Sequence, residues 1–140
     1  MTDGAHDLLV LDAFSSDAIP VHLLTVEALR DAMRTVAPGG LLAIHVSNRY
    51  YNLGPAVAAA ARDLGLAALR RVYSPTPAGK EMGAIGSIWM VLARDPGLLA
   101  PLADTGWEPV PVDGVTAITD DRPDILRFLF LWDEIAGSDR

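Results

Sequence analysis

The 140-residue chain is 51% apolar and 21% charged, and its 11 basic and 18 acidic side chains leave a formal net charge of −7. The length and apolar share suffice for one compact domain with its own core, residues 1–140 as a single unit; no basic run interrupts the acidic balance, which argues against nucleic acid as a partner, and an acidic surface attracts cations instead. Cysteine is absent, which excludes disulfides, thiolate metal sites and cysteine nucleophiles.

Leu8, Leu9, Val10 and Leu11 form an unbroken apolar run between Asp7 and Asp12. Such a run predicts a strand over 8–11 covered on both faces, as in a parallel sheet. Residues 13–20 read as a loop with two serines, an aspartate and a proline. A helix is predicted over 26–36, capped by Thr25 with Glu27 in its first turn, because Val26, Leu29, Met33 and Val36 share one face. Pro38-Gly39-Gly40 is expected to stop it. Residues 41–46 give a second apolar strand containing His45, and 47–52 a polar loop.

The next helix covers 53–64, with Pro55 near its start and Gly65 just past its end. Residues 66–73 form a third strand candidate, 74–86 a long loop, and 88–93 a fourth strand. A short helix follows Pro96, then an irregular stretch around Trp107. A last helix is expected from Asp121, carrying Ile125, Leu126, Leu129 and Trp132 inward, with Asp120 and Asp121 as its caps. No apolar run reaches the roughly 18 residues needed to cross a bilayer. Residues 1–7, short and acidic, do not resemble a signal peptide. A cytoplasmic protein with no membrane span is the expectation.

The order of elements predicts an α/β sheet, parallel at its start, with right-handed crossovers. A nucleotide-binding sheet of this kind carries a G-x-G-x-x-G turn after its first strand. None follows Leu11. The pattern therefore reads as the second half of a doubly wound, Rossmann-like sheet, without the nucleotide-binding strands.

The run over 7–27, centred on Asp12-Ala13-Phe14-Ser15-Ser16-Asp17-Ala18-Ile19-Pro20, resembles the spermidine synthase family, and within it the bacterial branch often fused to membrane segments. Pro38-Gly39-Gly40, Gly86-Ser87-Ile88-Trp89-Met90-Val91-Leu92-Ala93 and Thr119-Asp120-Asp121-Arg122-Pro123 are similar to the same branch. The resemblance covers nearly all of this chain and the C-terminal half of the family's catalytic domain. It implies a fold like that of S-adenosylmethionine-dependent methyltransferases. It further implies aminopropyl transfer from decarboxylated S-adenosylmethionine, a co-substrate and not a prosthetic group, to a diamine such as putrescine. By resemblance, Asp12 matches the aspartate that helps deprotonate the attacking amine and Asp17 an acidic residue that holds the diamine. The family's nucleoside-binding motifs have no counterpart here, so no cofactor-binding residue is assigned.

The residues themselves support Asp12 independently: it ends a predicted parallel strand, where open α/β sheets place their ligands, and a carboxylate there can take a proton from an amine. A loop cap is the plainer alternative, as it is for Asp17. Asn48, Tyr50 and Tyr51, with Arg49, occupy the loop after the second strand and could line a diamine pocket, Tyr through cation–π attraction; the alternative is an ordinary polar loop capping the next helix. His22 could act as a base but reads more simply as packing beside a helix start. His45 reads as a hydrogen-bonded core or sheet-face residue. No His/Asp/Glu spacing suggests a metal, and no Gly-x-Ser-x-Gly element suggests a serine hydrolase. Three functions stay open: the amine-side part of an aminopropyltransferase, inactive alone; a non-catalytic interaction module; and a methyltransferase-like activity on another nucleophile. The unpaired edge of the first strand predicts self-association or docking with a complementary half.

Overall fold

The apolar run after Asp7 forms β1, His6–Leu11, which pairs in parallel with β2, Val36–His45. Between them lies α1, Val26–Thr35, so this first unit is the strand–helix–strand crossover that the alternating pattern implied. The computed structural model describes residues 3–13 and 19–129. Thr25 caps α1 as expected, its Oγ1 accepting the Ala28 N–H at 3.1 Å.

The end of α1 differs from expectation. Pro38, Gly39 and Gly40 do not form a turn outside the sheet; β2 begins directly after Thr35 and contains them. The register explains how: His6 faces Val36 but Leu8 already faces Leu41, so β2 carries extra residues in a bulge. A proline, which cannot donate to a ladder, is tolerated at such an irregularity. Gly40 is required there for space, since a Cβ would lie 2.8 Å from the Asp7 carbonyl oxygen and 2.9 Å from that of His6. Gly40→Ala is therefore expected to destabilise the chain by about 1–3 kcal/mol, read as a lowered urea midpoint at unchanged slope. Arg94 closes this corner by donating to the carbonyl oxygens of Met33, Val36 and Ala37.

The chain continues through α2, Gly54–Asp63; β3, Ala67–Tyr73; α3, Pro77–Glu81; and β4, Ser87–Ala93. The expected long loop over 74–86 thus contains a short helix, α3, started by Pro77 and capped by Thr76 Oγ1 on the Gly79 N–H at 3.1 Å. After β4, 3₁₀ turns at Pro96–Leu98 and Ala100–Thr105 replace the expected short helix. The stretch around Trp107 is not wholly irregular: Trp107–Glu108 forms β5 on the outer edge of β3. Within the described residues the last expected helix is a single 3₁₀ turn, Ile125–Phe128, which buries Phe128 and leaves Leu126 exposed. A 3₁₀ turn places residues three apart on one side, so Ile125 and Phe128 face inward and Leu126 cannot. Asp120 and Asp121 do not cap it; they sit in the turn of the Thr119–Arg122 bridge. Trp132 lies outside the described residues.

The fold is α/β. Its five-stranded mixed sheet has the order β1-β2-β4-β3-β5, with β4 antiparallel to both of its neighbours. Strand alternation sorts the side chains onto two faces. One face presents Leu42, Ile44, Met90 and Leu92, all buried against Leu29 and Met33 of α1 and the alanine-rich α2. The small side chains Ala56, Ala59, Ala60 and Ala61 allow α2 to be enclosed, and Ile118 and Phe128 close over Ala56. The other face is covered only in part: Leu98, Leu99 and Leu102 pack over Val91, Ala93 and Leu69.

β1 departs from the sequence reading. It is an edge strand, and among the described residues nothing covers one of its faces: Leu8 is 56% and Val10 48% exposed. An unbroken apolar run signalled burial on both faces, but only Leu9 and Leu11 reach the core. Among the described residues no helix is long and apolar enough to cross a membrane.

Candidate functional site

β1 and β2 are parallel, so their carboxyl ends reach the same edge of the sheet. Asp12 follows the last residue of β1, and His45 is the last residue of β2. β4 runs the other way and brings its first residues, Ser87, Ile88 and Trp89, to that edge; Trp89 is the register partner of His45. This is the edge at which open α/β sheets present ligand-binding groups.

The side chains there are joined. Asp12 Oδ1 lies 2.7 Å from His45 Nδ1. His45 Nε2 lies 2.7 Å from Ser47 Oγ, which also accepts the Ile88 N–H at 2.7 Å. The imidazole stacks on the Trp89 indole, with centroids 4.9 Å apart and planes at 28°. Ring and indole share the sheet face of Val10, so the cluster sits at the rim of the uncovered apolar surface. The Asp12 side chain is 59% exposed and that of His45 21%. One oxygen of Asp12 is thus engaged by the ring while the carboxylate as a whole stays accessible. Beside it opens a cleft of about 670 Å³ whose lining includes His45, Ser47, Asn48, Arg49, Ile85 and Trp89.

The other residues singled out in the sequence are placed unevenly. Asn48 lines this cleft, but its Oδ1 accepts the N–H groups of Tyr50 and Tyr51 at 2.9 and 3.1 Å, a local loop-fixing role. Tyr50 is half-exposed, with the Arg49 guanidinium 5.7 Å from its ring centre. Tyr51 bridges to Leu129 and packs on the core. Asp17 lies outside the described residues. His22 is exposed and lines a separate acidic cleft of about 480 Å³ with Glu27, Asp31 and Asp120. Among the described residues no group of three potential ligands could hold a metal ion.

Sequence reading missed Ser47, Trp89 and the bond between His45 and Asp12. One signal was available. His45 and Ser47 are the two polar residues alternating with Val46 at the end of an apolar strand, and period-two spacing places them on one face. The partnership with Asp12 and Trp89 depends on which strands become neighbours. No protein-family model matches the chain, and no curated protein matches it.

Proposed function

We propose that this chain forms the amine-side wall of an aminopropyltransferase-like site, the reading that the resemblance over 7–27 implies. The observation that carries it is Asp12. The residue similar to the family's amine-activating aspartate stands at the carboxyl end of β1, accessible, with one oxygen held by His45. An ammonium or amine approaching the sheet edge would meet its other oxygen, and a carboxylate so placed can stabilise the cation and accept its proton. Two further features favour a half-site of a Rossmann-like domain. No G-x-G-x-x-G turn follows Leu11, and among the described residues one edge and one face of β1 are left open, a surface on which complementary strands and helices could pack. That complementary half, or a second copy, is the partner this reading requires.

The chain alone is expected to bind putrescine weakly and to show little or no turnover with decarboxylated S-adenosylmethionine. Without a nucleoside cradle the two reactants are not oriented, and orientation supplies about 7–11 kcal/mol of such a barrier. Calorimetry with putrescine on the wild type and on Asp12→Asn checks the amine side: heat that is lost in the variant supports it, and identical traces remove it. Robust turnover by the purified chain would overturn the half-site reading. The exposed Leu8 and Val10 also favour a second reading, a non-catalytic interaction module, under which putrescine should bind neither protein.

A further inference from the structure

The chain of bonds at the sheet edge has a direction. A carboxylate oxygen only accepts, so the bond to Asp12 places the imidazole proton on Nδ1 of His45. When the ring carries that one proton, Nε2 holds a lone pair, and the Ser47 hydroxyl, 2.7 Å away, is the group placed to donate to it. Ser47 Oγ keeps its acceptor capacity for the Ile88 N–H. Carboxylate, imidazole and hydroxyl therefore stand in the order of orienting group, base and nucleophile, an arrangement recognised by geometry and roles, whatever the sequence spacing. The stack on Trp89 fixes the ring plane from one side. The Ile88 N–H fixes the hydroxyl and would stabilise negative charge building on its oxygen. Ser47 opens onto the cleft of about 670 Å³, whose lining also holds Arg49, a cation available to an oxyanion.

We propose that Ser47 is an activated nucleophile for acyl transfer, with His45 as its base and Asp12 as the orienting carboxylate, and that the substrate class is small acyl esters entering the cleft. Ser47 Oγ attacks the carbonyl carbon while its proton passes to His45 Nε2. The tetrahedral adduct collapses, the ester C–O bond breaks, and the departing alkoxide takes the proton from Nε2. Water, deprotonated in turn by Nε2, attacks the acyl-Ser47, releasing a carboxylic acid and returning the proton to Oγ. The absence of a Gly-x-Ser-x-Gly element does not weigh against this, because the three groups come from two strand ends and the residue two positions beyond one of them. Nothing in this step requires an amine or a nucleoside, so it stands or falls apart from the aminopropyl reading.

The experiment treats the purified chain with diisopropyl fluorophosphate and maps the adduct by peptide mass spectrometry, with p-nitrophenyl acetate hydrolysis in parallel. One phosphoryl adduct on Ser47 is expected, with an ester hydrolysis that the adduct abolishes. Ser47→Ala should lose both. Asp12→Asn changes an exposed side chain and should keep its circular dichroism spectrum while labelling at least about 10²-fold more slowly; His45→Gln is the second variant and should label no faster. No adduct on Ser47, an adduct on another serine only, or an unchanged labelling rate in a folded Asp12→Asn would each overturn the proposal.

Discussion

Asp12→Asn, in the assembled aminopropyltransferase of the proposed reading, is expected to lower turnover by about 10²–10⁴-fold while leaving nucleoside binding nearly unchanged. The structure sharpens why this substitution is the informative one. Asp12 contributes little to packing, with its side chain 59% exposed, and its main tie is the 2.7 Å bond from His45. Asn keeps an oxygen that can accept that bond, so the strand end should hold its shape. What Asn cannot do is accept a proton from an amine. A neutral amide also removes the negative charge that an ammonium would seek. Turnover and melting temperature should be measured on the same protein. If Asp12 only holds the loop and the ring, the outcome is near-normal turnover with a loss of about 1 kcal/mol or less, because Asn also serves well in loops. That outcome would leave Asp12 as scaffold and remove the amine-activating role.

The second large effect concerns stability. Leu42→Ala should destabilise the chain by about 2–5 kcal/mol, read from the shift in the denaturant midpoint. Leu42 is 0% exposed, paired with Leu9 on one side and Leu92 on the other, beneath α1 and α2. Truncation would leave a cavity at the middle of the sheet, and its neighbours, held by two ladders, could collapse only partly into it. The informative companion is Leu8→Ala on the open face of β1. With Leu8 56% exposed, its truncation should change stability by no more than about 0.5 kcal/mol. A cost for Leu8→Ala that approaches that of Leu42→Ala, and that grows with protein concentration, would mean that this face is covered in solution by a partner or a second copy.

Local chemistry in the sequence alone specifies several elements. Thr25, Glu27 and the spacing of Val26, Leu29 and Met33 specify α1, because a cap and a 3.6-residue period act within one turn of chain. Pro55 and Gly65 bracket α2 for the same reason: Pro suits a first turn, and Gly65 adopts a φ of +70° just past its end. Apolar runs located β1, β2 and β4, and the position of Asp12 at a strand end was legible from the run that precedes it. Tertiary structure decided the rest. Pro38-Gly39-Gly40 has the composition of a turn, yet pairing with β1 draws it into β2, since ladder bonds to a neighbouring strand outweigh a weak local preference. β5 has too few residues to show a pattern and exists because Arg70 and Arg71 offer it a partner. The composition of β1 spoke for burial on both faces, but burial belongs to the whole fold, and among the described residues nothing lies over Leu8 and Val10. The site divides in the same way. Each of Asp12, His45, Ser47 and Trp89 is visible alone in the sequence, whereas the bonds that join them arise only because parallel β1 and β2 and antiparallel β4 bring three distant stretches of chain to one edge of the sheet.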